Sequence, residues 1–203
     1  MIAELPLHYR TPDRWAEQAL ESVVELLNDH AHLERKAASN ALELLNRWPD
    51  PEPPERWVTN LASVARDETD HLFMIARLLK ARGGSLSKMH RNDYARSLRD
   101  LVRRGQGPLE LIDRLLVSAL IELRSCERFE ILSRCCRDPE LARVYRSLWG
   151  SEHGHYKLFL SLAEDLAPAD QVESRWQEML RSEAEVIKSQ PPGSTLHSSL
   201  GGD

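Results

Sequence analysis

Glu68-Thr69-Asp70-His71 and Glu152-His153-Gly154-His155 are the two motifs that most clearly indicate the architecture of this chain. Both have the form Glu-x-x-His, and both lie in long segments whose apolar residues recur every three or four positions. On an α-helix, residues three apart lie on one face, so the carboxylate and the imidazole of each motif can bind the same metal ion. Chance alone gives roughly 0.8 such matches in a chain of this composition, so the argument depends on where the motifs lie.

The two helices that partner these segments each carry a glutamate on their inward face. Glu34 lies about as far before the Pro49 break as Glu68 lies after the Pro54 break, and Glu122 and Glu152 lie similarly around Asp138. Four carboxylates and two imidazoles in one core would repel each other without cations. Mixed oxygen and nitrogen ligands suit iron or manganese better than zinc. The spacing therefore predicts a two-metal site in a helical bundle, with ligands Glu34, Glu68, His71, Glu122, Glu152 and His155.

The third-helix ligand has an alternative in Glu127. Glu122 is in phase with the apolar face of its helix, whereas Glu127 lies about 140° away around it, which favours Glu122. Asp67 precedes a ligand and is a candidate for holding a ligand histidine through its ring N–H, although it reads equally well as a surface acid. The remaining histidines of these segments are interpreted as polar or packing residues, namely His30, His32 and His153.

A composition dominated by Leu, Ala, Glu and Arg, with apolar residues in steps of three and four, predicts an all-α chain. Short turns make two antiparallel hairpins, and the long link between them allows the crossover of ferritin-like four-helix bundles, with additional N-terminal, crossover and C-terminal helices. We expect a single domain over residues 1–189 and a flexible Pro/Gly/Ser-rich tail over residues 190–203. The predicted segments run from the Thr11-Pro12 cap to about Leu27, from there to Pro49, from Glu55 to Gly83, from Asp93 to Arg104, from Pro108 to Arg137, from Pro139 to Ala167, and from Ala169 to Lys188.

The charge distribution indicates a polyanionic partner. The net charge is −5, but residues 77–104 hold nine basic side chains and two aspartates, and therefore carry +7. The competing interpretation is an ordinary solvated helix face. The candidates for contact with nucleic acid are Lys88, Arg91, Arg96, Arg99, Arg103 and Arg104.

The cellular location is predicted from three features: the length of the apolar runs, the pattern of the N-terminus and the spacing of the cysteines. No apolar run approaches the ~20 residues that cross a bilayer, so no membrane association is expected. The N-terminus does not have the pattern of a signal peptide. The three cysteines have no C-x-x-C spacing and read as free thiols, which favours the cytoplasm.

Two stretches have a more particular resemblance. The sequence from Asp29 to Ser39 (DHAHLERKAAS) and that from Glu122 to Phe129 (ELRSCERF) resemble the bacterial MiaE family, within the ferritin-like di-iron superfamily that the wider pattern resembles over residues 28–163. The resemblance implies an O₂-dependent non-haem di-iron monooxygenase, with two Fe ions on the six ligands above. It also implies a tRNA substrate, hydroxylated on the isopentenyl group of 2-methylthio-N6-isopentenyladenosine beside the anticodon. Ser151 departs from the wider superfamily, which often has Asp there.

The sequence leaves open two alternatives to a hydroxylase, and it does not identify an electron donor. A ferritin-like iron-oxidising or peroxide-scavenging protein would share the ligands, and a metal-free helical RNA-binding module would share the basic segment. The first rival leaves the basic segment unexplained, and the second leaves the inward carboxylates unexplained. No flavin or iron–sulfur motif is present, so a hydroxylase of this kind is expected to need an external electron-donating reductase.

Overall fold

The computed structural model describes residues 4–201, and within this range the chain is helical. Apart from one isolated bridge between Pro192 and Ser199, the described residues contain no β-structure, which confirms the predicted all-α class. No helix within residues 4–201 is both long enough and apolar enough to cross a membrane. The helices are α1 (Arg14–Leu20), α2 (Val23–Leu45), α3 (Glu55–Ala81), α4 (Asp93–Arg99), α5 (Pro108–Cys135), α6 (Pro139–Glu164) and α7 (Ala169–Lys188).

The chain divides into two compact units. The hairpin unit comprises residues 22–91 and 194–196, and contains α2 and α3. The α5 unit comprises the described residues of 1–21, 92–193 and 197–203, and contains the other five helices. The prediction of a single domain over residues 1–189 stays a prediction.

In the hairpin unit, proline and glycine set the helix ends. The turn between α2 and α3 is rich in proline, and Trp48 and Trp57 pack on either side of it with ring centroids 5.2 Å apart. Gly83 has φ +79°, a left-handed conformation that glycine adopts without strain just after a helix. A Cβ on Gly84 would lie 2.3 Å from the Leu79 side chain, so the chain passes too close to α3 for a larger residue.

In the α5 unit, α5 is buried nearly all round, as expected of a central helix. It forms a hairpin with α6 and also packs against α1, α4 and α7. Asp138 begins α6 as predicted, because its carboxylate accepts hydrogen bonds from the backbone N–H groups of Glu140 and Leu141 at 2.9 and 3.2 Å. Pro139 occupies the first turn, where no N–H donor is needed.

A buried charge network joins α5 to α7. Arg124 and Glu183 are both fully buried and form a two-pronged ion pair, with N···O distances of 2.8 and 2.7 Å. The Tyr94 hydroxyl donates to Glu183 at 2.9 Å, and burial beside this carboxylate raises the pKa of Tyr94. Arg124 also donates to Glu127. The charges are therefore paired inside the core, where an isolated charge would be costly.

Residues 197–199, near the C-terminus, are packed within the α5 unit. Trp15 Nε1 donates to Ser198 Oγ at 3.1 Å, and Arg128 donates to the Ser198 carbonyl at 3.0 Å while lying over the Trp15 ring. Gln18 donates to the Ser199 carbonyl at 2.9 Å. His197 and Ser198 are buried. This packing does not fit the flexible tail expected from composition, because apolar contact and hydrogen bonds offset the effect of the Pro, Gly and Ser residues.

Three predicted boundaries are wrong. The N-terminal helix ends at Leu20 rather than near Leu27, because Ser22 adopts φ −128° and ψ 82° and interrupts the helix. Thr11 does not cap this helix, since its N–H and hydroxyl donate to Glu127 at 2.9 and 2.7 Å. Helix α4 ends at Arg99 rather than Arg104, because the Arg103 N–H donates to Asp113 instead of continuing the helix.

The Arg124–Glu183 pair gives a prediction for stability. Glu183→Ala leaves a fully buried guanidinium without its main partner, and should lower the free energy of unfolding by about 3–5 kcal/mol. Glu178→Ala on the same helix is the matched control. Glu178 is 54% exposed and pairs with Arg175, so its loss should cost less than about 1 kcal/mol. Urea unfolding followed by circular dichroism measures both, and equal losses would contradict the assigned role of the network.

Candidate metal centre and basic surface

Three predicted ligands come together in the hairpin unit. Glu34 on α2 and Glu68 and His71 on α3 are buried, and each offers a ligand atom within 4.8 Å of the others. His71 Nδ1 lies 3.7 Å from Glu34 Oε2 and 3.7 Å from Glu68 Oε2. These distances exceed hydrogen-bond length, but atoms that bind one ion at about 2 Å each can lie this far apart.

His30 is a residue of this site that the sequence analysis did not assign to it. Its Nε2 lies 2.5 Å from Glu34 Oε1, one helical turn away, and donates to that carboxylate. His30 is 1% exposed, so the contact is made in the core. One oxygen of Glu34 is thereby oriented by His30 while the other faces His71. The available signal was the four-residue spacing of His30 and Glu34 on one helix face.

The α5 unit brings together the glutamate and the histidine of the second motif. Glu152 Oε2 lies 3.6 Å from His155 Nδ1 on α6, and both side chains are buried. Glu122 on α5 is also buried. Burial, together with the charges of Glu152 and Glu122, raises the pKa of the Cys126 thiol, so Cys126 stays protonated near these carboxylates.

The structure separates Glu122 from its alternative. Both oxygens of Glu127 are engaged, one by the Thr11 N–H and the other by the Thr11 hydroxyl and Arg124. Glu127 thus belongs to the buried ion-pair network, which favours Glu122 as the third-helix ligand. Asp67 is partly exposed and accepts hydrogen bonds from the Arg66 guanidinium at 3.0 and 3.3 Å.

The other histidines lie in packed positions. His32 stacks on His90 with ring centroids 4.6 Å apart, and burial lowers the pKa of His32. His153 stacks on Trp149 with centroids 4.7 Å apart.

The donor set of each unit fits a hard or borderline metal ion. Each offers two glutamates and one histidine, the mixed oxygen and nitrogen set that iron accepts. A carboxylate as deeply buried as Glu68, which is 0% exposed, is destabilised unless a cation compensates it. A bound metal ion would supply such compensation.

The basic candidates have different surroundings. Lys88 and Arg91 are exposed in the hairpin unit, and Arg96, Arg99 and Arg104 are exposed in the α5 unit. Arg103 is the exception. Its guanidinium donates to both oxygens of the buried Asp113 at 2.7 and 2.8 Å, and Asp113 also binds Arg175. Its ion pair with Asp113 makes it the least available of the six cations, and its assignment to tRNA binding stays a prediction.

Comparison with known proteins places this geometry in a family context. A family model described as tRNA-(MS[2]IO[6]A)-hydroxylase (MiaE) matches residues 3–198. A tRNA 2-(methylsulfanyl)-N(6)-isopentenyladenosine(37) hydroxylase of Pseudomonas putida is 38% identical over 191 residues, covering 94% of this chain and 90% of that protein. A Salmonella typhimurium protein of the same name is 28% identical over 240 residues, covering 96% and 88%.

A solved structure extends the comparison to the fold. It is a Synechococcus protein described as having aldehyde deformylating oxygenase activity, with a TM-score of 0.87 and 32% identity over 97% of both chains. This likeness confirms the predicted ferritin-like four-helix bundle.

The contacts of Glu127 predict how two α5 variants differ. Glu122→Ala should lower the iron bound per chain after anaerobic loading with Fe(II), because it removes the predicted third-helix ligand. Glu127→Ala should keep the wild-type iron content but lower the free energy of unfolding, because Thr11 and Arg124 lose their acceptor. Iron analysis and urea unfolding measure the two effects. The reverse pattern would transfer the ligand role to Glu127.

Proposed function

The chain belongs to the MiaE family of tRNA hydroxylases, and from this premise we propose that it hydroxylates the isopentenyl group of 2-methylthio-N6-isopentenyladenosine beside the anticodon of tRNA. The observation that carries the proposal is the pair of buried Glu-x-x-His motifs, each with a buried glutamate from the neighbouring helix of its hairpin. Such a set is typical of di-iron carboxylate proteins.

The six predicted ligands hold the iron pair in this proposal. Glu34, Glu68 and His71 supply one half of the ligand set, and Glu122, Glu152 and His155 supply the other half. Each Glu-x-x-His motif would contribute one carboxylate and one imidazole to this ligand set. His30 fixes the orientation of Glu34 through its hydrogen bond, as residues behind metal ligands commonly do.

The iron pair, when bound, supplies the activation of O₂ for oxidation of an allylic C–H bond. The overall change places one oxygen atom of O₂ in the C–H bond and releases the other as water, consuming two electrons and two protons. The protein sequence contains no flavin or iron–sulfur motif, so an external reductase supplies the electrons.

The chain itself supplies a dry, apolar setting for the prenyl group. Ala119 and Cys126 lie one helical turn on either side of Glu122, and both are fully buried. Phe129 continues the same face of α5 and packs on Tyr145, with ring centroids 5.4 Å apart. Apolar side chains around a metal site exclude water and so limit side reactions.

The tRNA phosphates contact the exposed basic residues of the crossover in this proposal. Lys88, Arg91, Arg96, Arg99 and Arg104 are the exposed candidates, and Arg103 is the sixth, partly engaged by Asp113. Each phosphate neutralised by one of these cations releases counterions, so tRNA affinity should fall as the salt concentration rises. A tRNA substrate also implies that the enzyme works in the cytoplasm.

The ferritin-like alternative is not favoured, because the relatives that match most of the chain are named as hydroxylases. An iron-storage or peroxide-scavenging protein would use the same ligands but no tRNA. The two functions differ in the fate of O₂, which can be followed directly.

Isotope labelling tests the proposed reaction. The reduced, iron-loaded protein is supplied with ¹⁸O₂ and prenylated, methylthiolated tRNA, and the tRNA is digested to nucleosides for mass spectrometry. We expect one ¹⁸O atom in the prenyl side chain. Oxygen derived from water, or rapid peroxide consumption with an unchanged nucleoside, would support the ferritin-like alternative.

A further inference from the structure

The crossover loop, residues 85–91, is anchored to α2 by Ser87. The Ser87 N–H donates to Asn28 Oδ1 at 2.9 Å, and the Ser87 hydroxyl donates its one proton to the Met89 carbonyl at 2.9 Å. The hydroxyl oxygen therefore accepts from Asn28 Nδ2 at 3.2 Å and from His32 Nε2 at 3.0 Å. These bonds fix the backbone at Ser87 and at Met89, which lies at the tip of the loop.

His90 anchors the other side of the same tip. Lys36 Nζ donates to His90 Nδ1 at 2.8 Å, so the proton of the neutral ring lies on Nε2, which donates to Asp29 Oδ1 at 2.7 Å. The His90 ring also lies flat against His32, with an angle of 3° between their planes. Both residues that flank the Lys88–Met89 pair are thus held by side chains of α2.

The anchored loop displays an apolar tip among cations. Met89 is 86% exposed, more than any other large hydrophobic residue among residues 4–201. Leu86, in the same loop, is 44% exposed. Lys88 and Arg91 beside them are also exposed. Residues 72–92 contain five basic side chains and no acidic one. An exposed apolar side chain on an anchored backbone, within a positive segment, is suited to contact with a partner that is both apolar and anionic.

Unpaired nucleotides of RNA have these two properties, since their bases are apolar on both faces and their phosphates are negative. An enzyme that acts on a stacked base must also draw that base out of the stack. Proteins that open a stack commonly insert an apolar side chain such as Met or Leu into the opened step. Met89 has the chemistry and the fixed backbone for this role.

We propose that Met89 is a positioning residue that occupies the space left in the anticodon-loop stack when the target adenosine is drawn out. Lys88 and Arg91 hold the flanking phosphates at the same time. This inference rests on the proposed function, because it requires tRNA as the substrate. The side chain acts on the conformation of the RNA and touches neither iron nor the reacting carbon.

A fluorescence experiment without iron tests the inference. The full chain is titrated into an anticodon stem-loop RNA that carries 2-aminopurine at the target position, a base whose fluorescence rises when it leaves the stack. We expect a rise with the wild type, a rise reduced on the order of 10-fold with Met89→Ala, and recovery with Met89→Leu. Leu42→Ala, at a 52% exposed apolar position on α2, should behave as the wild type.

Turnover separates failure of this inference from failure of the proposed function. Iron-loaded Met89→Ala should lose about 10-fold in kcat/KM with prenylated tRNA but act normally on the free modified nucleoside, which has no stack to open. Wild-type protein inactive on both substrates would overturn the proposed function. If the wild type is active and Met89→Ala gives the same fluorescence rise and the same turnover as the wild type, only the role of Met89 is overturned. The role of Met89 is also overturned if Met89→Ala differs from the wild type only in self-association. That result would assign the loop to contact between copies of the protein.

Discussion

Buried carboxylates need compensating positive charge, and this constraint governs most of the structure. A carboxylate taken out of water is stable only if a cation or several donors accompany it. The chain meets the requirement in two ways. Glu127, Glu183 and Asp113 are accompanied by arginines of the fold itself. The second group is formed by Glu34, Glu68 and Glu152. A carboxylate oxygen of each lies 3.6–3.7 Å from the Nδ1 atom of a histidine, and we propose that metal ions complete this arrangement.

The two kinds of buried charge have different consequences. The arginine pairs are permanent, so they stabilise α5 and its neighbours whether or not metal is present. We propose that the glutamate–histidine sets are completed by metal ions, and metal binding would then be coupled to stability. Glu127 lies on the same helix as the proposed ligand Glu122, but its contacts with Thr11 and Arg124 place it among the arginine-paired acids. The identity of the neighbouring donor, rather than burial alone, separates a candidate ligand from a structural acid.

Much of the fold could be predicted because it depends on local signals. Proline and glycine mark the ends of α3, α5 and α6, and the Glu-x-x-His spacing selects four of the candidate ligands. The parts that could not be predicted depend on contacts between distant residues. Thr11 reads as a helix cap but binds Glu127, and Arg103 reads as a free cation but pairs with Asp113. The tail reads as flexible from its composition, whereas Ser198 is held by Trp15 and Arg128.

We propose that the two glutamate–histidine sets together hold one pair of iron ions. Mössbauer spectroscopy of the chain loaded with ⁵⁷Fe(II) and then oxidised, combined with iron analysis, can test this proposal. We expect two irons per chain in one magnetically coupled pair, and loss of that pair in both Glu68→Ala and His155→Ala. A full coupled pair in either variant, or uncoupled single irons in the wild type, would contradict it.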